Sequence, residues 1–191
     1  MANKDWPSGL QPLYATGGGS ARTERWPLKY KISATPTQMT TAIYKGAMVI
    51  WGASGWVKIN PLTVLGAATG VLGVAAEYFK GTGSTATELA VWPLKEHIFV
   101  IQDDSDTTTN VLENGLGWNF AVLNPTAGST ITGLSTMELD WSSKSTTSGA
   151  KAFRTVGLHK TIGEGEGVHM KWLVKPIVGL DYMDNTTNMW A

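Results

Sequence analysis

The chain has 191 residues, with 15 Lys and Arg against 15 Asp and Glu, 22 Gly, 8 Pro, 9 Trp and no Cys. A chain of this length makes one domain with an arm or tail, and buries roughly 70% of its unfolded surface without a disulfide or metal staple. Zero net charge argues against a duplex-binding protein and an electrostatic membrane binder, and the lack of Cys removes thiol nucleophiles, Fe–S clusters and cysteine zinc sites.

The opening Met1-Ala2-Asn3-Lys4-Asp5-Trp6-Pro7 lacks the charged and apolar regions of a secretion signal. The longest apolar-looking stretch, Val64 to Ala76, is broken by Gly66, Thr69, Gly70 and Gly73 and is too short for a bilayer. The expectation is a soluble protein made in a cytoplasm, with no membrane partner.

Residues 1–30 read as an extended N-terminal arm. Pro7, Pro12 and Pro27 each oppose a helix or a central strand, and Gly17-Gly18-Gly19 leaves the backbone unrestrained. Yet the same stretch carries Trp6, Leu10, Leu13, Tyr14 and Trp26, and ordering entropy is not offset in a truly disordered segment. Such an arm docks on its own domain or on a neighbour. Removing it is expected to leave a folded body.

The body is predicted to span residues 31–180 as a single β-rich unit, with a tail over 181–191. Charged residues are only 16%, against about 25% in an average domain. Short apolar runs alternate with Gly, Ser, Thr, Asn and Pro clusters. That pattern predicts an all-β fold, either a β-barrel or a β-sandwich.

Ile43 to Trp51 turns through Gly52-Ala53-Ser54-Gly55 into Trp56 to Ile59, the composition of a hairpin. Val71 to Phe79 and Leu89 to Trp92 bracket a second glycine-rich turn at Gly81-Thr82-Gly83-Ser84. His97 to Gln102 is a continuous apolar strand, consistent with burial on both faces. Asn110 to Asn124 reads as a strand pair or a short helix, with Gly115 and Gly117 opposing a long one.

Period-two patterning is clean in two places. Met137, Leu139 and Trp141 alternate with Glu138, Asp140 and Ser142. Val168, Met170, Trp172 and Val174 alternate with His169, Lys171, Leu173 and Lys175, Leu173 being the exception. Each such strand has one core face and one wet face. Ala152 to Leu158 is strand-like without a clear facing.

Chemistry-bearing patterns are sparse. His97, His159 and His169 form no HxxxH or HExxH pair, and zinc needs three or four convergent ligands, so packed or surface roles are expected. Asp103-Asp104-Ser105-Asp106 has the oxygen-rich look of a hard-cation loop. Counting from Asp104, however, Thr109 stands where an EF-hand needs Gly, and Gly115 where it needs Glu. A solvated strand-end turn is the expected role.

Gly133-Leu134-Ser135-Thr136-Met137 lacks the second glycine of a nucleophile elbow. Gly81 to Thr85 lacks the Lys of a phosphate loop. Glu164 and Glu166 lie in a glycine-rich hairpin tip, whereas catalytic carboxylates need a rigid separation. No enzyme, cofactor or metal is therefore expected.

Tryptophan is the conspicuous residue. Trp51, Trp141 and Trp172 fall in apolar strands and read as core. Trp6, Trp26 and Trp190 fall in the arm and tail, where large rings suit a protein interface, since they bury much area at little entropic cost. Exposed rings also stack on sugars or single-stranded bases, and protein contact is the favoured reading. The candidate interface residues are Trp6, Leu10, Leu13, Tyr14, Trp26, Tyr182, Met189 and Trp190.

The order of motifs is similar to that of the head decoration, or cement, proteins of tailed bacteriophages of the marine type. It is carried by Lys4 to Pro12, Thr16 to Gly19, Tyr30 to Ser33, Thr41 to Val49, Gly73 to Phe79, Val91 to Pro93, Thr132 to Asp140 and Phe153 to Leu158. Ala47 departs from the pattern, which places an acidic residue after the hairpin glycine. The resemblance implies a viral structural protein, with a β-rich body, a homotrimer, and attachment to the major capsid protein. Its place would be the virion, on the exterior of an expanded phage head assembled in the bacterial cytoplasm, where it would stabilise the head against internal DNA pressure without binding nucleic acid. The alternatives are a low-copy tail or vertex structural protein, or a carbohydrate-binding module for host-surface recognition.

Overall fold

The structure is a computed structural model that describes residues 5–28, 41–51, 57–59, 71–81, 87–104, 112–147, 151–160 and 166–177. Eleven strands make up almost all of its regular structure: β1 (Gln11–Ala15), β2 (Glu24–Pro27), β3 (Met48–Trp51), β4 (Val57–Ile59), β5 (Val71–Ala75), β6 (Glu88–Pro93), β7 (His97–Gln102), β8 (Asn119–Leu123), β9 (Glu138–Ser145), β10 (Phe153–Leu158) and β11 (Lys171–Pro176). A one-turn helix, α1 (Leu112–Gly115), precedes β8. The short-helix reading of this region is therefore the right one, and a strand follows the helix. Among the described residues no helix is long and apolar enough to cross a membrane.

The strands form two antiparallel sheets, one of six strands in the order β1-β7-β11-β10-β8-β9 and one of five in the order β2-β6-β5-β3-β4. The fold is all-β and sandwich-like. Of the two architectures predicted, the barrel is not formed. A parallel bridge between Asp103 and Leu139 links the end of β7 to β9, and among the described residues no ladder closes the six-stranded sheet.

Side-chain alternation explains how the sheets stack. On the five-stranded sheet Met48, Ile50, Val74 and Trp92 face one way and join Phe99, Ile101, Phe120, Leu139, Trp141, Phe153, Trp172 and Val174 of the six-stranded sheet in one buried cluster. Val49, Val57, Ile59, Ala75, Leu89 and Val91 point the other way, into a second cluster with Leu28, Ile43 and Phe79. The five-stranded sheet is thus apolar on both faces, and its strands read as short continuous apolar runs. Met137, Leu139 and Trp141 are buried as their alternation predicts, with Glu138 and Asp140 half-buried and Ser142 exposed. In β11, Trp172 and Val174 are buried likewise.

The N-terminal stretch docks on its own domain, one of the two alternatives the sequence leaves, and does so as strands of both sheets. Residues 87–102 run from β6 in one sheet to β7 in the other through the single 3-10 turn Leu94–Glu96. The N-terminal stretch lies antiparallel against two parts of this segment, one in each sheet. Gln11 to Ala15 pair with Val100 to His97, Thr16 N donates to Glu96 O at 2.7 Å, Glu24 to Pro27 pair with Val91 to Glu88, and Leu28 N donates to Thr87 O at 2.9 Å. Residues of the expected arm thereby become the edge strand of each sheet. Prolines oppose only central strands; an edge strand accepts Pro12 and Pro27 because one side of its backbone needs no ladder donor.

A close backbone approach locks the start of this stretch. Leu10 N donates to Gly46 O at 2.9 Å, and Gly46 N donates to Ala75 O at 2.8 Å. A Cβ on Gly9 would stand 2.6 Å from Gly46 O and 2.7 Å from Ser135 Cβ, and Gly9 and Gly46 have φ of 66° and 87°. Glycine is required at both positions, for space and for the left-handed backbone.

Candidate functional site

The chemically richest corner lies where the N-terminal segment meets the end of β7, the start of β9 and the entry to β11. Gln102, almost fully buried, is the hub. Its Oε1 accepts from Trp6 N at 3.1 Å, its Nε2 donates to Asp5 Oδ1 at 3.1 Å, and the same Nε2 lies 3.4 Å from His169 Nδ1. His169 Nδ1 stands 3.7 Å from Asp5 Oδ1. The backbone at His169 is left-handed, with φ of 55°, one residue before the buried Met170.

Asp103 corrects its sequence reading. It is not a solvated turn residue but fully buried. Its Oδ1 accepts from Met170 N at 3.1 Å and its Oδ2 from Trp172 Nε1 at 3.0 Å. Asp104 N donates to Leu139 O at 3.1 Å, and Asp104 Oδ1 accepts from Trp141 N at 3.1 Å. These two aspartates stitch β7 to β11 and β9 as backbone-capping acceptors. Asp106 lies outside the described residues.

Glu138, the first residue of β9, completes the corner. Its pKa is raised from 4.5 to about 7, first by burial and then by the negative charges of Asp5, Asp104 and Asp103. The folded chain therefore holds a proton that the unfolded chain releases near pH 4.5. The associated stability is full below that pH and is lost as pH rises through about 7. For a half-buried group the effect is reduced by solvent screening to about 1 kcal/mol. In chelator-treated protein, Glu138→Gln is expected to flatten the fall of the melting temperature between about pH 5 and pH 8. A variant whose melting temperature tracks the parent's across that range would contradict this origin of the shift.

Among the described residues, Asp5, Glu138 and His169 are the group whose ligand atoms could hold a metal ion, all lying within 4.8 Å of one another. No sequence motif signals it, because the three residues come from distant parts of the chain. Of the other two histidines, His97 takes the packed of the two expected roles. His97 is buried, with Nδ1 2.8 Å from Pro93 O and Nε2 accepting from Arg22 N at 3.0 Å. It fixes the link between β1 and β2.

On the outer side of the corner, Asp5, Trp6 and Pro7 join Ser129, Thr132, Leu134 and Thr136 around an open pocket of about 220 Å³. Trp6 is 55% exposed there, and Ile131, at the tip of the neighbouring loop, is 95% exposed. Leu13 and Tyr14 on β1 are also exposed. Leu10, by contrast, is wholly buried in the main core and is unavailable to a partner. Trp26 is half-buried against the second cluster, so part of its ring serves its own sheet. Tyr182, Met189 and Trp190 lie outside the described residues.

Comparison with known proteins finds no matching family model, no similar curated protein and no similar solved structure.

Proposed function

We propose that the chain is a structural protein of a tailed-phage virion, a decoration protein bound to the outer surface of the mature head through its N-terminal segment. The observation that carries this reading is the outer edge of β1, which has no strand partner among the described residues. Leu13 and Tyr14 on that strand are 40% and 39% exposed and Trp6 just before it 55%. Beyond β1, no further strand pairs among the described residues. Monomeric proteins avoid an apolar free edge, because it invites pairing with another chain. Here the edge lies on the stretch whose motifs resemble the decoration proteins, and its partner is the major capsid protein.

Homotrimers would match the local threefold positions of an icosahedral shell, where one patch serves three times. Binding only the expanded lattice would stabilise it by mass action.

The test is the copy ratio of this chain to the major shell protein in purified particles. A ratio set by threefold sites supports decoration. A few copies per particle would move the protein to a vertex or tail, and absence would overturn the virion reading. In addition, Trp6→Ala combined with Leu13→Ser and Tyr14→Ser is expected to weaken attachment by about 2 kcal/mol or more while the melting temperature holds. Unchanged attachment of a folded triple variant would remove this edge from the interface.

The pocket beside Trp6 favours one second reading, a carbohydrate-binding module. A pocket lined by a tryptophan together with Asp5, Ser129, Thr132 and Thr136 has the residue types that hold a sugar. A glycan array silent with the parent chain would dismiss it.

A further inference from the structure

We propose that Asp5, Glu138 and His169 form a divalent transition-metal site that clasps the N-terminal segment to the body. Their three ligand atoms lie within 4.8 Å of one another. Ligands of a tetrahedral or octahedral ion with bonds near 2.1 Å stand roughly 3 to 4 Å apart, so small side-chain rotations close the site. Carboxylates alone gather on many surfaces without an ion. The imidazole makes this set different, because it supplies a nitrogen donor aimed among the oxygens.

The surroundings fit a cation. Gln102 Nε2 donates to Asp5 Oδ1 at 3.1 Å, and an outer contact of this kind orients a metal ligand. Asp103 and Asp104 add negative charge close enough to act on Glu138.

One imidazole with two carboxylates suits Zn²⁺, Co²⁺ or Mn²⁺ better than Ca²⁺, which prefers an all-oxygen shell of six to eight ligands. The Asp5 side chain is 63% exposed and that of His169 24%, which leaves room for water to complete the coordination. The chemical consequence is a cross-link. Asp5 precedes β1, Glu138 opens β9 and His169 leads into β11, so one ion ties the N-terminal segment to two distant strands.

The experiment uses the untagged full chain, stripped with EDTA and titrated with Co²⁺ and then Zn²⁺. One equivalent of Co²⁺ should bind with a d–d absorption band, Zn²⁺ should displace it, and Zn²⁺ should raise the melting temperature. His169→Gln, Glu138→Gln and Asp5→Asn should each weaken Zn²⁺ binding at least about tenfold, while His159→Gln, outside the cluster, should leave it unchanged. The exposed Asp5→Asn variant keeps the test valid should either of the others fold poorly. Substoichiometric binding by the parent chain, or unaltered Zn²⁺ affinity in a folded Asp5→Asn or His169→Gln variant, would overturn the site.

Discussion

Trp172→Ala is expected to be among the most destabilising single substitutions in the chain, at about 5 kcal/mol. Trp172 is fully buried. It stacks on Trp141 with ring centroids 5.5 Å apart, and Trp141 stacks on Phe120 at 5.4 Å. The backbone of α1 presses against the same stack, since a Cβ on Gly115 would meet both tryptophan rings. Truncation empties a volume that neighbours on four elements cannot refill, and large aromatic deletions of this kind cost about 3–5 kcal/mol. It also strips Asp103 Oδ2 of the indole donor at 3.0 Å, and withdrawing a partner from a buried carboxylate adds about 1–3 kcal/mol.

Trp172→Phe separates the two contributions. It retains most of the stacking and loses the hydrogen bond, so it should cost about half as much. Combining it with Asp103→Asn should cost less than the sum of the two single changes, because the two groups act on one another. Urea unfolding midpoints for the parent, the three single variants and the double variant provide the measurement. An Ala variant within about 1 kcal/mol of the parent would show that this stack is not what holds the inner face of the six-stranded sheet together.

Much of this core was legible in the sequence because it depends on local pattern. His97 to Gln102 reads as one apolar strand and is one, and the alternation over Met137 to Ser142 places Trp141 inward without any knowledge of its neighbours. The hairpin reading of Ile43 to Ile59 holds next to its turn, with Val49 to Trp51 pairing with Ile59 to Val57, but residues 43–47 fall outside the strand, with Ile43 bridged to Phe79 and Gly46 left-handed. The turn itself and the side chain of Trp51 lie outside the described residues.

What failed depends on distant partners. An Asp-Asp-Ser-Asp run after a strand looks like a solvated turn, and only Met170 and Trp172, far along the chain, turn Asp103 into a buried acceptor. The Asp5, Glu138 and His169 group has no spacing to read, since topology alone brings it together. His169 even sits on the wet side of a period-two pattern, which is where a surface histidine and a ligand look alike. The prolines of residues 1–30 oppose central strands, and an edge strand in each sheet has no distinct signature in a single sequence.

That last difference decides the second large effect. Deletion of residues 1–28 is expected to yield insoluble or unfolded chain, not a trimmed domain. The loss removes Leu10 and Leu28, both essentially fully buried, each worth about 2 kcal/mol of burial. It removes the half-buried Trp26, and it strips the ladder partners of β7 over residues 97–100 and of β6 over residues 88–91. Together these approach the about 5–15 kcal/mol that separates a folded domain from its unfolded chain. The failure has a second route. β7 would become an apolar edge exposing unpaired N–H and C=O groups, a template for edge-to-edge aggregation.

Point changes distinguish the stretch's two roles. Leu10→Ala should lower stability by about 2–3 kcal/mol with no direct effect on a partner, because it is core. Leu13→Ser and Tyr14→Ser should do the reverse. Soluble yield, circular dichroism and thermal unfolding of the truncated chain supply the check, and cooperative unfolding at the parent's temperature would restore the stretch to the status of a detachable arm. If the truncation unfolds as expected, attachment defects in long N-terminal deletions carry no information about the interface. The exposed face of β1 must then be mapped by single substitutions that leave Leu10, Leu28 and the two ladders intact.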